Sequence, residues 1–127
     1  MSTTSHETNS IDYSDMVAKL AKPGAAIQES LSPEKCHLLH MAIGIAGEAG
    51  ELLDAIKKHV VYNKPLDIEN VIEELGDLEF YMEGLRQGTM VTRAETLGSN
   101  IRKLGVRYKN LTYSDKQAQD RADKTGE

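Results

Sequence analysis

Apolar residues recur at helical spacing through most of the chain, and stretches of strict alternation are too few to build a sheet core. Ile11, Tyr13, Met16, Val17 and Leu20 predict a short amphipathic helix that ends before Pro23-Gly24. Ser32 is placed to cap a helix with Pro33 at its first position, and the pattern then runs to about Val60. Along it Leu38, Ala42, Ile45, Ala49, Leu52, Leu53 and Ile56 predict the packed face, with Gly44, Gly47 and Gly50 allowing another helix to come close.

The stretch Tyr62 to Leu66 breaks the period, and Asp67 is the expected cap of a helix to about Gln87, stopped by Gly88. Its expected stripe is Ile68, Val71, Ile72, Leu75, Leu78, Met82 and Leu85. Thr92-Arg93-Ala94-Glu95 reads as a capping box opening a helix to about Lys109, with Leu97, Ile101, Leu104 and Tyr108 on one side. Ser114 is the expected cap of a last short helix. The fold class that follows is all-α: a compact domain of four or five helices in antiparallel packing, because a lone amphipathic helix leaves its apolar stripe in water. A brief extended segment at Val60, Val61 and Tyr62 is the weaker alternative.

At 127 residues the chain suits one domain, expected over 11–124 between flexible segments at 1–10 and 125–127. A net charge of −5 disfavours an electrostatic grip on a nucleic acid polymer, and the basic residues are interspersed with acids, without a helix-turn-helix pattern. The single cysteine, Cys36, excludes an intrachain disulfide and a cysteine zinc cluster, and a small buried thiol is its expected role. The first residues lack the pattern of a secretory signal, and the apolar stretches are too interrupted by charge to span a membrane. A soluble cytoplasmic protein is the expectation.

Two acidic pairs change the picture. Glu48 and Glu51, and then Glu74 and Asp77, are each three positions apart, so each pair shares one side of its helix. Both lie beside the apolar stripe, where they would face a seam between helices. Four carboxylates brought together repel one another unless a cation joins them, and hard oxygen ligands suit magnesium. Alternatively they are ordinary solvated acids balanced by Lys57, Lys58 or Arg86. His37 and His40 fit no HExxH arrangement, His59 stands alone, and no GxxxxGK[ST] loop is present.

The segments Glu48-Ala49-Gly50-Glu51 and Glu74-Leu75-Gly76-Asp77, on successive long helices with Asn100, Lys103, Arg107 and Tyr108 downstream, resemble the MazG-like all-α nucleoside triphosphate pyrophosphohydrolases over about 33–124. The resemblance implies Mg2+-dependent cleavage between the α and β phosphates, giving a nucleoside monophosphate and pyrophosphate. It also implies Glu48, Glu51, Glu74 and Asp77 as metal ligands and catalytic carboxylates. Family members commonly form homodimers or homotetramers whose neighbouring subunits complete the active site.

The same resemblance makes Asn100, Lys103, Arg107 and Tyr108 contacts to the nucleotide, a role their chemistry allows: arginine grips phosphate oxygens with a fork, and lysine donates to them. Solvated or packing roles are the competing reading for each. Tyr81 is the candidate base contact, ahead of Phe80, Met82, Tyr62 and Tyr113; Lys116, Arg121 and Lys124 rank below Lys103 and Arg107 as a basic rim. The expected substrate is a deoxynucleoside triphosphate, with dGTP in a phage nucleotide pathway, in the host cytoplasm, as a subcase. The alternatives are a phosphoribosyl-nucleotide pyrophosphohydrolase and a non-enzymatic metal-binding helical oligomer.

Overall fold

The computed structural model describes residues 10–125, and the described residues contain helices and no strand. The expected flexible ends, 1–10 and 125–127, lie outside that range except for residues 10 and 125. The order is α1 (Tyr13–Leu20), α2 (Gly24–Ser30), α3 (Pro33–Val60), α4 (Ile68–Thr89), α5 (Arg93–Arg107), a 3-10 turn (Lys109–Leu111), α6 (Asp115–Asp120) and α7 (Ala122–Thr125). The chain divides into two compact units between Cys36 and His37. The first holds α1, α2 and the start of α3. Cys36 is exposed, against the expectation of a buried thiol.

The expected caps form. Ser32 Oγ accepts from the Lys35 N–H at 3.2 Å, and Asp67 Oδ1 accepts from the Asn70 N–H at 3.1 Å. Thr92 and Glu95 make the reciprocal capping box, and Ser114 Oγ accepts from the Gln117 N–H at 3.2 Å. Each cap satisfies an amide that the first turn of a helix leaves without a partner. Helix α2, which has neither a side-chain cap nor a clear apolar period, is the element the periodicity passes over.

Helices α3 and α4 are antiparallel neighbours, and their contacts run in layers. His37 Nε2 donates to the Gly84 carbonyl at 2.8 Å; Met41 lies against Gly84, the Tyr81 ring against Gly44, and Glu48 beside Glu74 and Asp77. The α3 positions 37, 41, 44 and 48 alternate steps of four and three, the spacing of a seam between two helices. A Cβ at Gly44 would overlap the Tyr81 ring. One at Gly88 would lie 2.7 Å from the His37 ring and 2.9 Å from Leu38. Gly88 therefore does not end its helix. It admits the neighbour, and the chain turns two residues later at Met90, which takes a left-handed φ of 58°.

Part of the expected apolar face is covered: Leu38, Ile45 and Leu52 of α3 and Val71, Leu78, Met82 and Leu85 of α4 are half-buried. Met41 and Ala55 are the buried apolar residues among those described, while Ile43, Leu53 and Ile72 are 61%, 68% and 64% exposed. At the hairpin, His59 Nδ1 donates to the Lys64 carbonyl at 2.7 Å, so this histidine braces the turn between α3 and α4. Helix α5 packs against the 3-10 turn, α6 and α7, with Leu104 and Tyr108 half-buried and Leu97 and Ile101 exposed.

Candidate metal centre

The antiparallel register brings the two acidic pairs together. One carboxylate oxygen from each of Glu48, Glu74 and Asp77 lies within 4.8 Å of the others. A single cation with oxygen ligands at about 2.0–2.6 Å can span that separation. Glu51 completes the group from the next turn of α3 through its interaction with Glu74. Glu74 is only 7% exposed.

The electrostatics are those of crowded carboxylates. Glu74 is pushed up from 4.5 to about 7, first by the adjacent Glu48 carboxylate, then by burial, and then by Glu51. Each influence opposes its negative charge. Glu48 Oε2 and Glu74 Oε2 are buried oxygens without a hydrogen-bond partner, an expensive state for a carboxylate. A divalent cation would satisfy both oxygens and remove the repulsion.

The nearby cations are committed elsewhere. Lys58 pairs with Asp54 at 3.1 Å, Arg86 with Glu83 at 3.0 Å and Glu79 at 3.8 Å, and the Lys57 ammonium stands 5.6 Å from the centre of the Tyr62 ring. Among the described residues, no salt bridge reaches Glu48, Glu51, Glu74 or Asp77. These are not surface acids balanced by neighbouring lysines or arginines.

Tyr81 lies on α4 one turn beyond Asp77, half-buried, with its ring against Gly44 and edge-on to both His40 and Phe80. The downstream set is placed differently. Asn100 and Lys103 are exposed on α5, whereas Arg107 Nε donates to Asp123 Oδ1 at 2.8 Å. Tyr108 caps α5, and its ring centre is 5.8 Å from that of Tyr113. None of these four forms a hydrogen bond or ion pair with the acids among the described residues. Of the lower-ranked cations, Lys116 pairs with Asp120 at 2.8 Å. Sequence reasoning missed Asp123, because an acid in a polar tail carries no periodic signal.

An all-α hairpin with two carboxylates on each helix, gathered around buried oxygens that lack partners, defines the class: a helical carboxylate site suited to a divalent cation. The chain belongs to the MazG nucleotide pyrophosphohydrolase domain family, which matches residues 37–112. That span contains α4 and α5 and the part of α3 that carries Glu48 and Glu51. Membership carries nucleotide pyrophosphohydrolase activity as the general function and a divalent metal as the general requirement. No curated protein and no solved structure matches the chain. No helix among the described residues is long and apolar enough to cross a membrane.

Proposed function

We propose that this chain hydrolyses a nucleoside triphosphate, with deoxynucleotides including dGTP as the leading candidates, to the monophosphate and pyrophosphate with Mg2+. The observation that carries the metal is the pair of buried, unpartnered oxygens on Glu48 and Glu74 within a cluster that no cation among the described residues pairs with. Glu48, Glu51, Glu74 and Asp77 would hold the ion. When bound, Mg2+ supplies charge compensation for the phosphate oxygens.

The chain's own groups supply the rest. A carboxylate oxygen left free of the ion orients a water toward the α phosphorus and takes its proton as the new P–O bond forms. The α–β anhydride bond breaks, and pyrophosphate leaves with that electron pair. Lys103 and Arg107 bind phosphate oxygens and lower the cost of charge on the leaving group, Asn100 and Tyr108 add polar contacts, and Tyr81 borders the base.

The active unit in this reading is a homo-oligomer, a dimer or tetramer acting in the cytoplasm. The exposed faces support it: Ile43 and Leu53 on α3, Ile72 on α4 and Ile101 on α5 are each more than 60% exposed, far more apolar surface than such helices leave in water when their packing is complete. In this reading a neighbouring protomer's α5, with its Lys103 and Asn100, completes the site at the acids.

Monophosphate and pyrophosphate, quantified after incubation with a panel of ribo- and deoxynucleoside triphosphates, test the reaction. Equal amounts of the two, formed with Mg2+ and stopped by chelator, are expected. Orthophosphate as the first product, or no turnover on any member, contradicts it.

A further inference from the structure

We propose that Asp123 is a positioning residue for Arg107: it fixes the guanidinium through Nε so that the two terminal nitrogens are presented to a pyrophosphate group. This rests on the reading of Arg107 as a phosphate contact and adds to it a residue from outside the matched span of 37–112.

The contact joins α7 to the last residue of α5. Arg107 Nε donates to Asp123 Oδ1 at 2.8 Å, with side-chain exposures of 16% and 7%. The partners are sixteen positions apart, so the whole 107–123 loop must close to form the bond. That closure has its own supports. Gln117 Oε1 accepts from the Lys109 N–H at 2.7 Å, Ser114 caps α6, and the Tyr113 hydroxyl donates to Asp115.

Among the described residues Arg107 is the one basic member of the downstream set held in this way, since Lys103 is exposed and makes no ion pair with any of them. An arginine carries rotamer entropy that a ligand must otherwise overcome. Anchoring it beforehand moves that cost from binding to folding. The anchoring nitrogen is the one an end-on grip does not use: a fork through the two terminal nitrogens leaves Nε free for a carboxylate behind it. Burial makes the arrangement firm, because an acid this enclosed loses its main counter-charge if the arginine swings away.

The same contact could instead staple α7 to the protein, or Asp123 could compete with phosphate for the guanidinium. Three variants, Asp123→Asn, Arg107→Lys and the double variant Arg107→Ala/Asp123→Ala, separate these roles when read against Arg107→Ala. KM and kcat for the best nucleotide and the inhibition constant of inorganic pyrophosphate are measured with Mg2+, alongside melting temperature.

Positioning predicts that Asp123→Asn raises KM and the pyrophosphate constant about tenfold, the scale of one charge-assisted hydrogen bond. It leaves kcat within about twofold, because the lost contact is uniform binding. The double variant should be no worse than Arg107→Ala, since Asp123 acts only through that side chain. Arg107→Lys keeps a cation beside Asp123 and should melt near the wild type while showing the same KM loss, which covers the case in which Asp123→Asn fails to fold.

A lower melting temperature with unchanged KM and pyrophosphate constant would reduce the pair to a staple and overturn the proposal. So would a fall in the pyrophosphate constant, which marks competition, or an unchanged KM in Arg107→Lys. If the wild-type protein turns over no nucleotide and calorimetry shows no binding of pyrophosphate, the functional reading fails and takes this inference with it. Turnover by the wild type with unaltered constants in Asp123→Asn sinks the inference alone.

Discussion

Carboxylate oxygens of Glu48 on α3 and Glu74 on α4 lie within 4.8 Å of each other across the helix seam, and Glu48 is the largest of the influences that push Glu74 up to about 7. Two carboxylates can share that position only if one keeps a proton or a cation arrives. Without metal, the folded protein therefore binds more protons than the unfolded chain between Glu74's ordinary value of 4.5 and about 7. Its stability is fully present below the lower value and declines as pH rises through the upper one. The melting temperature of chelator-treated protein should fall from about pH 5 to about pH 8, and Glu74→Gln should flatten that slope. An unchanged slope in the variant would show that Glu74 does not carry the proton.

Cation binding should displace the same proton. Mg2+ affinity measured by calorimetry is expected to rise from pH 6 to pH 8, about tenfold at most per unit and levelling above Glu74's value, with proton release visible in buffers of different ionisation enthalpy. Equal affinity across the range would contradict a shared site.

Loss of a ligand should cost far more activity than structure. Glu48→Ala and Asp77→Ala are expected to lower turnover by about a hundredfold or more while keeping the helical circular dichroism. Glu48→Ala also removes Glu74's main carboxylate neighbour, so the metal-free form should melt no lower than the wild type. Near-normal turnover in both variants would remove these residues from the site.

The caps, the helical class and the acidic pairs were legible because each rests on local spacing. Ser32, Asp67, Thr92 and Ser114 cap helices within three residues of themselves. Which face meets which neighbour was not legible. Leu53 and Ile72 read as core and stand exposed, while Gly44, Glu48, Glu74 and Gly84 form the seam. Two apolar stripes on one helix look alike until a partner covers one. Glycine, which scores as a helix breaker, instead sets how closely two helices approach. The Arg107–Asp123 contact joins residues with no pattern between them, so only the folded chain reveals it.

The glycine layers give a packing test. Gly44→Ala would drive a methyl group into the Tyr81 ring and should destabilise the protein by about 1–3 kcal/mol in urea unfolding. Gly105→Ala, where a Cβ meets nothing within 4 Å, should stabilise α5 by about 0.5–1 kcal/mol. A stabilising Gly44→Ala would refute the α3–α4 seam.

The exposed apolar faces predict a second copy. Light scattering should show a dimer or larger species for the wild type and a shift toward monomer for Leu53→Glu, because a charge buried at an interface centre is not tolerated. A monomeric wild type at micromolar concentration would contradict the assembly.

Turnover in heavy-oxygen water with Mg2+ tests the central claim most directly. Attack at the α phosphorus places the label in the nucleoside monophosphate and leaves pyrophosphate unlabelled, and both products should disappear in Glu48→Ala. Label in pyrophosphate or orthophosphate, or undiminished turnover in that variant, would contradict the account.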